Sequence, residues 1–179
     1  MKTLYIERST GDCRNGEWVN TLDLEPPPDR IVVGIGPGSF AGIRSALAFA
    51  CGYATGRKCE VLGLPSACAL VEPEDLAGPL AVVGDARQGK FWVALFDGYS
   101  LVCDVFTVNR EGLAKRVPRQ AKVVTPDAAR IDALLKEEFG EAYIGGRTPD
   151  AEGLRRFAEA APSFLTPSPQ PLYLNPAVR

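Results

Sequence analysis

An apolar run, Ile31-Val32-Val33-Gly34-Ile35, breaks at Gly36-Pro37-Gly38-Ser39 and passes directly into apolar residues at helical spacing. This pattern predicts a buried strand at 31–35, a tight glycine turn and a helix over 40–55 with Ser39 as its N-cap. The same reading of periods gives strands at 2–6 and 17–22, joined as a hairpin around Asn15-Gly16. Further strands are expected at 60–63, 80–84, 91–97, 101–108, 122–125 and 142–145. Ser66 starts a short helix, and longer helices cover 128–139 and 149–161. Thr148 is the expected cap of the last helix, with Pro149 in its first turn and Leu154, Phe157, Ala158 and Ala161 as its core stripe. Beyond Pro162 the chain is punctuated by prolines and reads as extended. Strands alternating with helices define an α/β class, mixed sheet covered by helices.

The helix over 40–55 is apolar nearly all round. Ile43, Ala46, Leu47, Ala50 and Ala54 form one stripe. Phe49 and Tyr53, four apart, form another, which Ser45 continues. Arg44 is the single charged residue between Phe40 and Gly56. Such a helix is covered on several sides, either within its own fold or by a partner's helices, and the second cover is the expected one. The turn before it is a candidate anion site, because unpaired N–H groups converge where a strand meets a helix N-terminus. Gly36, Gly38 and Ser39 would line it. The turn lacks the Gly-Lys-Ser/Thr ending of a phosphate loop and the spacing of a dinucleotide fingerprint, so a tight packing turn is the plainer reading.

The 179 residues contain no histidine. Ser-His and Cys-His nucleophilic pairs are thereby excluded, as is any histidine-ligated metal. The five cysteines include no C-x-x-C pair, which argues against zinc and for buried thiols in a reducing cytoplasm. No stretch is long and apolar enough for a membrane span, and no secretory leader is read at the start. A net charge of −2 argues against autonomous binding to a phosphate backbone. The basic stretch from Lys115 to Lys122 reads as a solvated loop rather than a nucleic-acid contact.

The nine residues Gly36-Pro37-Gly38-Ser39-Phe40-Ala41-Gly42-Ile43-Arg44 resemble the Gly-Pro-Gly-Ser-Phe-Thr-Gly-Ile/Val-Arg signature of the TsaB (YeaZ) family. Asp85-Ala86-Arg87-Gln88-Gly89-Lys90-Phe91-Trp92 is similar to that family's Asp-Ala-Arg-x-Gly-Glu-Val-Tyr segment. Val61-Leu62-Gly63-Leu64-Pro65-Ser66 resembles its Gly-Val-Ser-Ser stretch. Pro171-Leu172-Tyr173-Leu174-Asn175-Pro176 resembles its Pro-x-Tyr-Leu-Arg-Pro tail. Arg44, Asp85 and Arg87 are motif positions in this match.

The resemblance implies the actin-like ATPase (ribonuclease H-like) fold, with two small lobes of mixed sheet and helices. The expected division is 1–75 for the lobe with the glycine turn and interface helix, and 76–179 for the lobe with the extended tail. The implied role is a non-catalytic scaffold of the tRNA threonylcarbamoyladenosine-synthesising complex, with a TsaD-type catalytic subunit and a TsaE-type ATPase as partners. The resemblance implies no catalytic residue, no metal and no cofactor of its own, with ATP held, if anywhere, at the complex interface. A homodimer is expected when the chain is alone, without direct tRNA binding and away from membranes. Phe40, Ile43, Ser45, Phe49 and Tyr53 are the candidate partner-binding residues.

Divergence is concentrated at the N-terminus. Leu4-Tyr5-Ile6-Glu7-Arg8-Ser9-Thr10 stands where the family has Leu-Ala-Ile-Asp-Thr-Ser-Thr. In the wider superfamily that Asp-Thr helps to hold nucleotide phosphates. The interval 21–30, with Pro26-Pro27-Pro28, is too short and too proline-rich for the helix that usually precedes the glycine turn and contributes to pairing. The second function class consistent with the fold is a small ATP-binding phosphotransferase or ATPase of the same superfamily.

Overall fold

The computed structural model describes residues 1–10 and 26–174. The strand expected at 17–22, its turn at Asn15-Gly16, Cys13 and Asn175 lie outside them. The chain divides into two compact units, Met1–Ala69 with Pro149–Leu172, and Leu70–Thr148 with the residues from Tyr173 onward.

In the first unit, strands β1 (Thr3–Ile6), β2 (Arg30–Gly34) and β3 (Glu60–Leu64) run parallel, and the short β10 (Thr166–Pro167) is antiparallel to β3. The sheet order is β1-β2-β3-β10. Ile31, Val32 and Val33 are buried on both faces of β2, as the unbroken apolar run requires. Helix α1 (Phe40–Ala54) lays Ile43, Ala46, Leu47, Ala50 and Tyr53 against Ile6, Ile31 and Val33.

In the second unit, β4 (Pro79–Arg87) and β5 (Lys90–Asp97) form an antiparallel hairpin that aligns Val83 with Val93. β6 (Ser100–Leu101) and β7 (Phe106–Asn109) both pair with β5. β8 (Lys122–Thr125) is parallel to β4, and β9 (Tyr143–Gly146) is parallel to β8. The main path of this sheet is β6-β5-β4-β8-β9. Helix α2 (Arg110–Arg116) and helix α3 (Ala128–Phe139) cover one face of it. There Leu113, Ile131 and Leu135 meet Ala81, Val83, Phe91 and Val93.

Several expectations are corrected. The strand expected at 101–108 is two pieces, β6 and β7. Helix α2 replaces part of the expected basic loop. Asn109 caps it by accepting the Gly112 N–H at 2.9 Å, and Lys115 and Arg116 fall in its last turn. The last helix, α4 (Ala151–Ala160), starts later than expected, because the Asp150 carboxylate rather than Thr148 accepts the Gly153 N–H, at 2.7 Å.

The expected split at 75/76 placed everything after it in one lobe. Residues 149–172 belong instead to the first unit, because α4 packs on β1 and β10 extends the first sheet. Nor are the thiols uniformly buried. Cys68 is enclosed, whereas Cys51 and Cys103 are exposed.

Candidate functional site

The head of α1 is the candidate site, and its geometry follows from who donates to whom. β2 ends at Gly34, and Ile35-Gly36-Pro37-Gly38-Ser39 turns the chain into the helix through a cis Gly36–Pro37 bond. Gly36 sits at φ +100°, a region closed to most side chains. Gly38 admits the backbone of Ser9, since a Cβ there would lie 2.3 Å from the Ser9 carbonyl oxygen.

Three donors of this turn, at Gly36, Ser39 and Gly42, are engaged by the protein itself. The Gly36 N–H donates to Ser66 Oγ at 3.0 Å, and the Ser39 N–H to the Ser9 carbonyl at 2.5 Å. The Gly42 N–H donates to Ser39 Oγ at 3.3 Å, which is the predicted N-cap bond. The Ile43 N–H takes the Ser39 carbonyl at 3.0 Å. Arg8 closes on the first turn of α1 so tightly that a Cβ at Gly42 would meet its carbonyl oxygen at 2.1 Å. The space a bound anion would need beside Gly38, Ser39 and Gly42 is taken by the 8–9 backbone.

Glu7 does not face this turn as an exposed phosphate-holding carboxylate would. Its Oε1 accepts the Ser9 N–H at 2.6 Å. Its Oε2 is enclosed beside Gly34 and Ser66 and has no hydrogen-bond partner. Burial pushes the carboxyl above its ordinary value. The opposing pull comes from the Ser9 and Ser66 hydroxyls and the Ser9 and Arg8 N–H groups.

The tail closes over the strand ends. Leu172 donates its N–H to the Ile35 carbonyl at 2.8 Å. Leu172 of the tail therefore reaches Ile35, the residue that leads from β2 into the glycine turn.

Among the candidate partner-binding residues, Phe40 is 58% exposed and carries the Arg44 guanidinium 4.3 Å above its ring centroid. Ile43 is a core residue of the first unit, and the half-buried Ser45 donates its hydroxyl back to the Gly42 carbonyl at 2.9 Å. Phe49 and Tyr53 do form a row, with ring centroids 6.0 Å apart. That row is covered from within. Tyr53 is buried, Phe49 packs on the same core, and Arg57 lies 4.4 Å over the Tyr53 ring. The open face of α1 is a different one, formed by Ala41, Arg44, Ala48, Cys51 and Gly52.

In the second unit, Asp85 is the centre of a network. Its Oδ1 accepts the Arg87 N–H at 2.8 Å, and its Oδ2 lies 3.5 Å from Arg87 and 3.3 Å from Arg130. The Asp85 N–H donates to Asp127 Oδ2 at 2.8 Å, and Asp127 also pairs with Arg130. Arg87 and Gln88 both hold positive φ, 69° and 53°, in the hairpin turn. Asp85 and Arg87 stand out in the sequence, whereas Asp127 and Arg130 do not. An Asp before a predicted helix with Arg three residues on is the signal that could have found them.

Among the described residues, no group of three or more His, Cys, Asp or Glu side chains is placed to hold a metal ion. No described helix is long and apolar enough to cross a membrane.

Two mixed sheets with helices packed on them, the first carrying a strand–glycine turn–helix at its centre, define the actin-like, ribonuclease H-like fold. The family model described as TsaD, tRNA N6-adenosine threonylcarbamoyltransferase, matches residues 17–153, and the chain belongs to that family. Its fold is that of the YeaZ (TsaB) proteins. YeaZ from Pseudomonas aeruginosa superposes with a TM-score of 0.71 at 19% identity, covering 97% of this chain and 100% of that one. A further P. aeruginosa structure, an uncharacterized protein with similarity to peptidase YEAZ, gives 0.72 at 19% identity, covering 98% and 100%. No curated protein matches the sequence.

Proposed function

We propose that this chain is a non-catalytic partner subunit of the tRNA threonylcarbamoyladenosine-synthesising complex, acting in the cytoplasm by docking a TsaD-type catalytic subunit. The observation that carries this reading is the head of α1. Its N–H groups at Gly36, Ser39 and Gly42 bind the protein's own oxygens, and Glu7 is turned inward. A phosphotransferase or ATPase needs those donors and an accessible carboxylate for nucleotide phosphates. The residues present do not fit that group. Any ATP in the assembly is then held where partners meet, in a complex that includes a TsaE-type ATPase.

The surface proposed for docking is the open face of α1, where Ala41, Ala48 and Gly52 let another helix approach closely and Phe40 with Arg44 supplies an aromatic–guanidinium anchor. Alone, the chain closes the same face on a second copy, since a two-fold dimer is the simplest closed form. It makes no direct tRNA contact of its own.

The test is titration of the chain into a TsaD-type subunit by calorimetry, with Ala48→Glu as the variant. Ala48 is exposed, so the variant keeps the fold. Complex formation and self-association should both fall by tenfold or more. Unchanged affinity overturns the docking face. Magnesium-dependent ATP hydrolysis by the isolated chain overturns the non-catalytic reading.

A further inference from the structure

Among the described residues, Glu7 holds a buried carboxyl oxygen with no hydrogen-bond partner. It directly follows β1, and three segments close on it. From its own strand end come the Ser9 N–H, 2.6 Å from Oε1, and the Arg8 N–H. From β2 comes Gly34, so close that a Cβ there would lie 1.8 Å from Oε2. From the 3₁₀ turn after β3 come the Ser66 hydroxyl and the Cys68 thiol. Ser66 Oγ would be 2.8 Å from that same Cβ, so the hydroxyl and Oε2 share one confined spot.

Oε2 is sealed from solvent and accepts no hydrogen bond. An ionised oxygen in that position would carry its charge out of reach of bulk solvent, an unfavourable place for a carboxylate. A protonated Oε2 avoids the penalty, because its O–H can be donated to the Ser66 oxygen beside it.

We propose that Glu7 is a proton switch: it is a neutral carboxylic acid in the closed state, and loss of its proton loosens the 8–10 segment from the head of α1. The mechanical link is short. Ser9 is bound to Glu7 through its N–H and to the helix through its carbonyl, which accepts the Ser39 N–H at 2.5 Å. A carboxylate that draws in water must displace that segment, and the Ser39 N–H then loses its partner. Burial raises the Glu7 carboxyl above its ordinary 4.5, and burial likewise holds the neighbouring Cys68 thiol well above its own ordinary value.

The sign follows from linkage. The closed state has the higher proton affinity, so closure is firm below the ordinary carboxyl value and weakens as pH rises toward the raised one. The experiment is NMR on the full chain with ¹³C-labelled glutamate, following the Glu7 Cδ shift and the Ser39 amide protection factor together against pH. The Cδ titration should be centred above 4.5. Ser39 protection should fall by up to about tenfold per pH unit between that ordinary value and the observed midpoint, then level off. Glu7→Gln should abolish the slope. A Cδ midpoint at or below 4.5, or Ser39 protection with the same pH slope in Glu7→Gln, overturns the proposal. Should Glu7→Gln fail to fold, the wild-type titration alone decides.

Discussion

Arg147 grips Asp75 with both ends of its guanidinium. Nη2 donates to Oδ1 at 3.1 Å, and Nη1 reaches Oδ2 and also donates to the Leu70 carbonyl at 2.9 Å. Asp75 is buried to 2% exposure and accepts the Glu72 N–H at 3.0 Å as well. The pair fastens the end of β9 to the turn over Pro73–Asp75, within the second unit.

Arg147→Ala should therefore be among the more damaging single changes in that unit. Leaving a buried carboxylate without its cation costs roughly 3–5 kcal/mol. Thermal denaturation of the variant should show a fall of several degrees, with Arg147→Lys recovering only part of it, because a point charge cannot replace a bidentate fork.

The same pair sets an acid limit. Burial works to raise the Asp75 carboxyl, but the Arg147 hydrogen bonds, the Glu72 N–H and the Arg147 and Lys122 charges hold it below its ordinary 3.8. A depressed native value gives stability that is present above 3.8 and lost as pH falls through the lower native value. Urea midpoints measured from about pH 5 downward should fall in the wild type. They should be flatter in Asp75→Asn.

Two glycines in α1 should respond to alanine with opposite signs. Helix propensity alone favours alanine by about 1 kcal/mol at both. A Cβ added at Gly52 would have nothing within 4 Å, so Gly52→Ala should stabilise. At Gly42 the new carbon would meet the Arg8 carbonyl at 2.1 Å, so Gly42→Ala should destabilise. Paired melting curves check the sign.

Gln88 holds φ 53° beside Gly89 at φ 70°, the two-residue turn between β4 and β5. A left-handed backbone costs a side-chain-bearing residue roughly 1 kcal/mol that glycine does not lose. Gln88→Gly should raise the denaturation midpoint, and a fall would show that the Gln88 side chain stabilises the turn.

Asp85→Ala should lower stability by about 1–3 kcal/mol, because the Arg87 N–H and the Arg130 guanidinium each lose an acceptor. Unchanged melting together with lost binding of a TsaD-type subunit would assign Asp85 to the interface instead.

Local chemistry is legible in the chain wherever one segment satisfies itself. The run at 31–35, the Ser39 cap, the helix behind it, the 122–125 strand and the 128–139 helix follow from periodicity and capping groups. So does the family, because the signature at 36–44 is nine ordered residues. The N-cap at Asp150 and helix α2 are readable too, but are hidden by a competing threonine and by the density of basic residues.

What the sequence cannot decide is which distant group meets which. Nothing local says that Tyr53 is covered by its own core and Arg57 rather than by a partner, or that Ala48 is on the open side. Nothing local brings Arg147 to Asp75, 72 positions away, or returns residues 149–172 to the first unit. Glu7 is the clearest case. Its identity suggests an exposed acid, and only the closing of Gly34, Ser66 and Ser9 around it makes it a buried one. Hydrogen bonds and helix periods act over a few residues and are written in order along the chain. Burial and charge pairing depend on neighbours that become neighbours only when the sheets assemble.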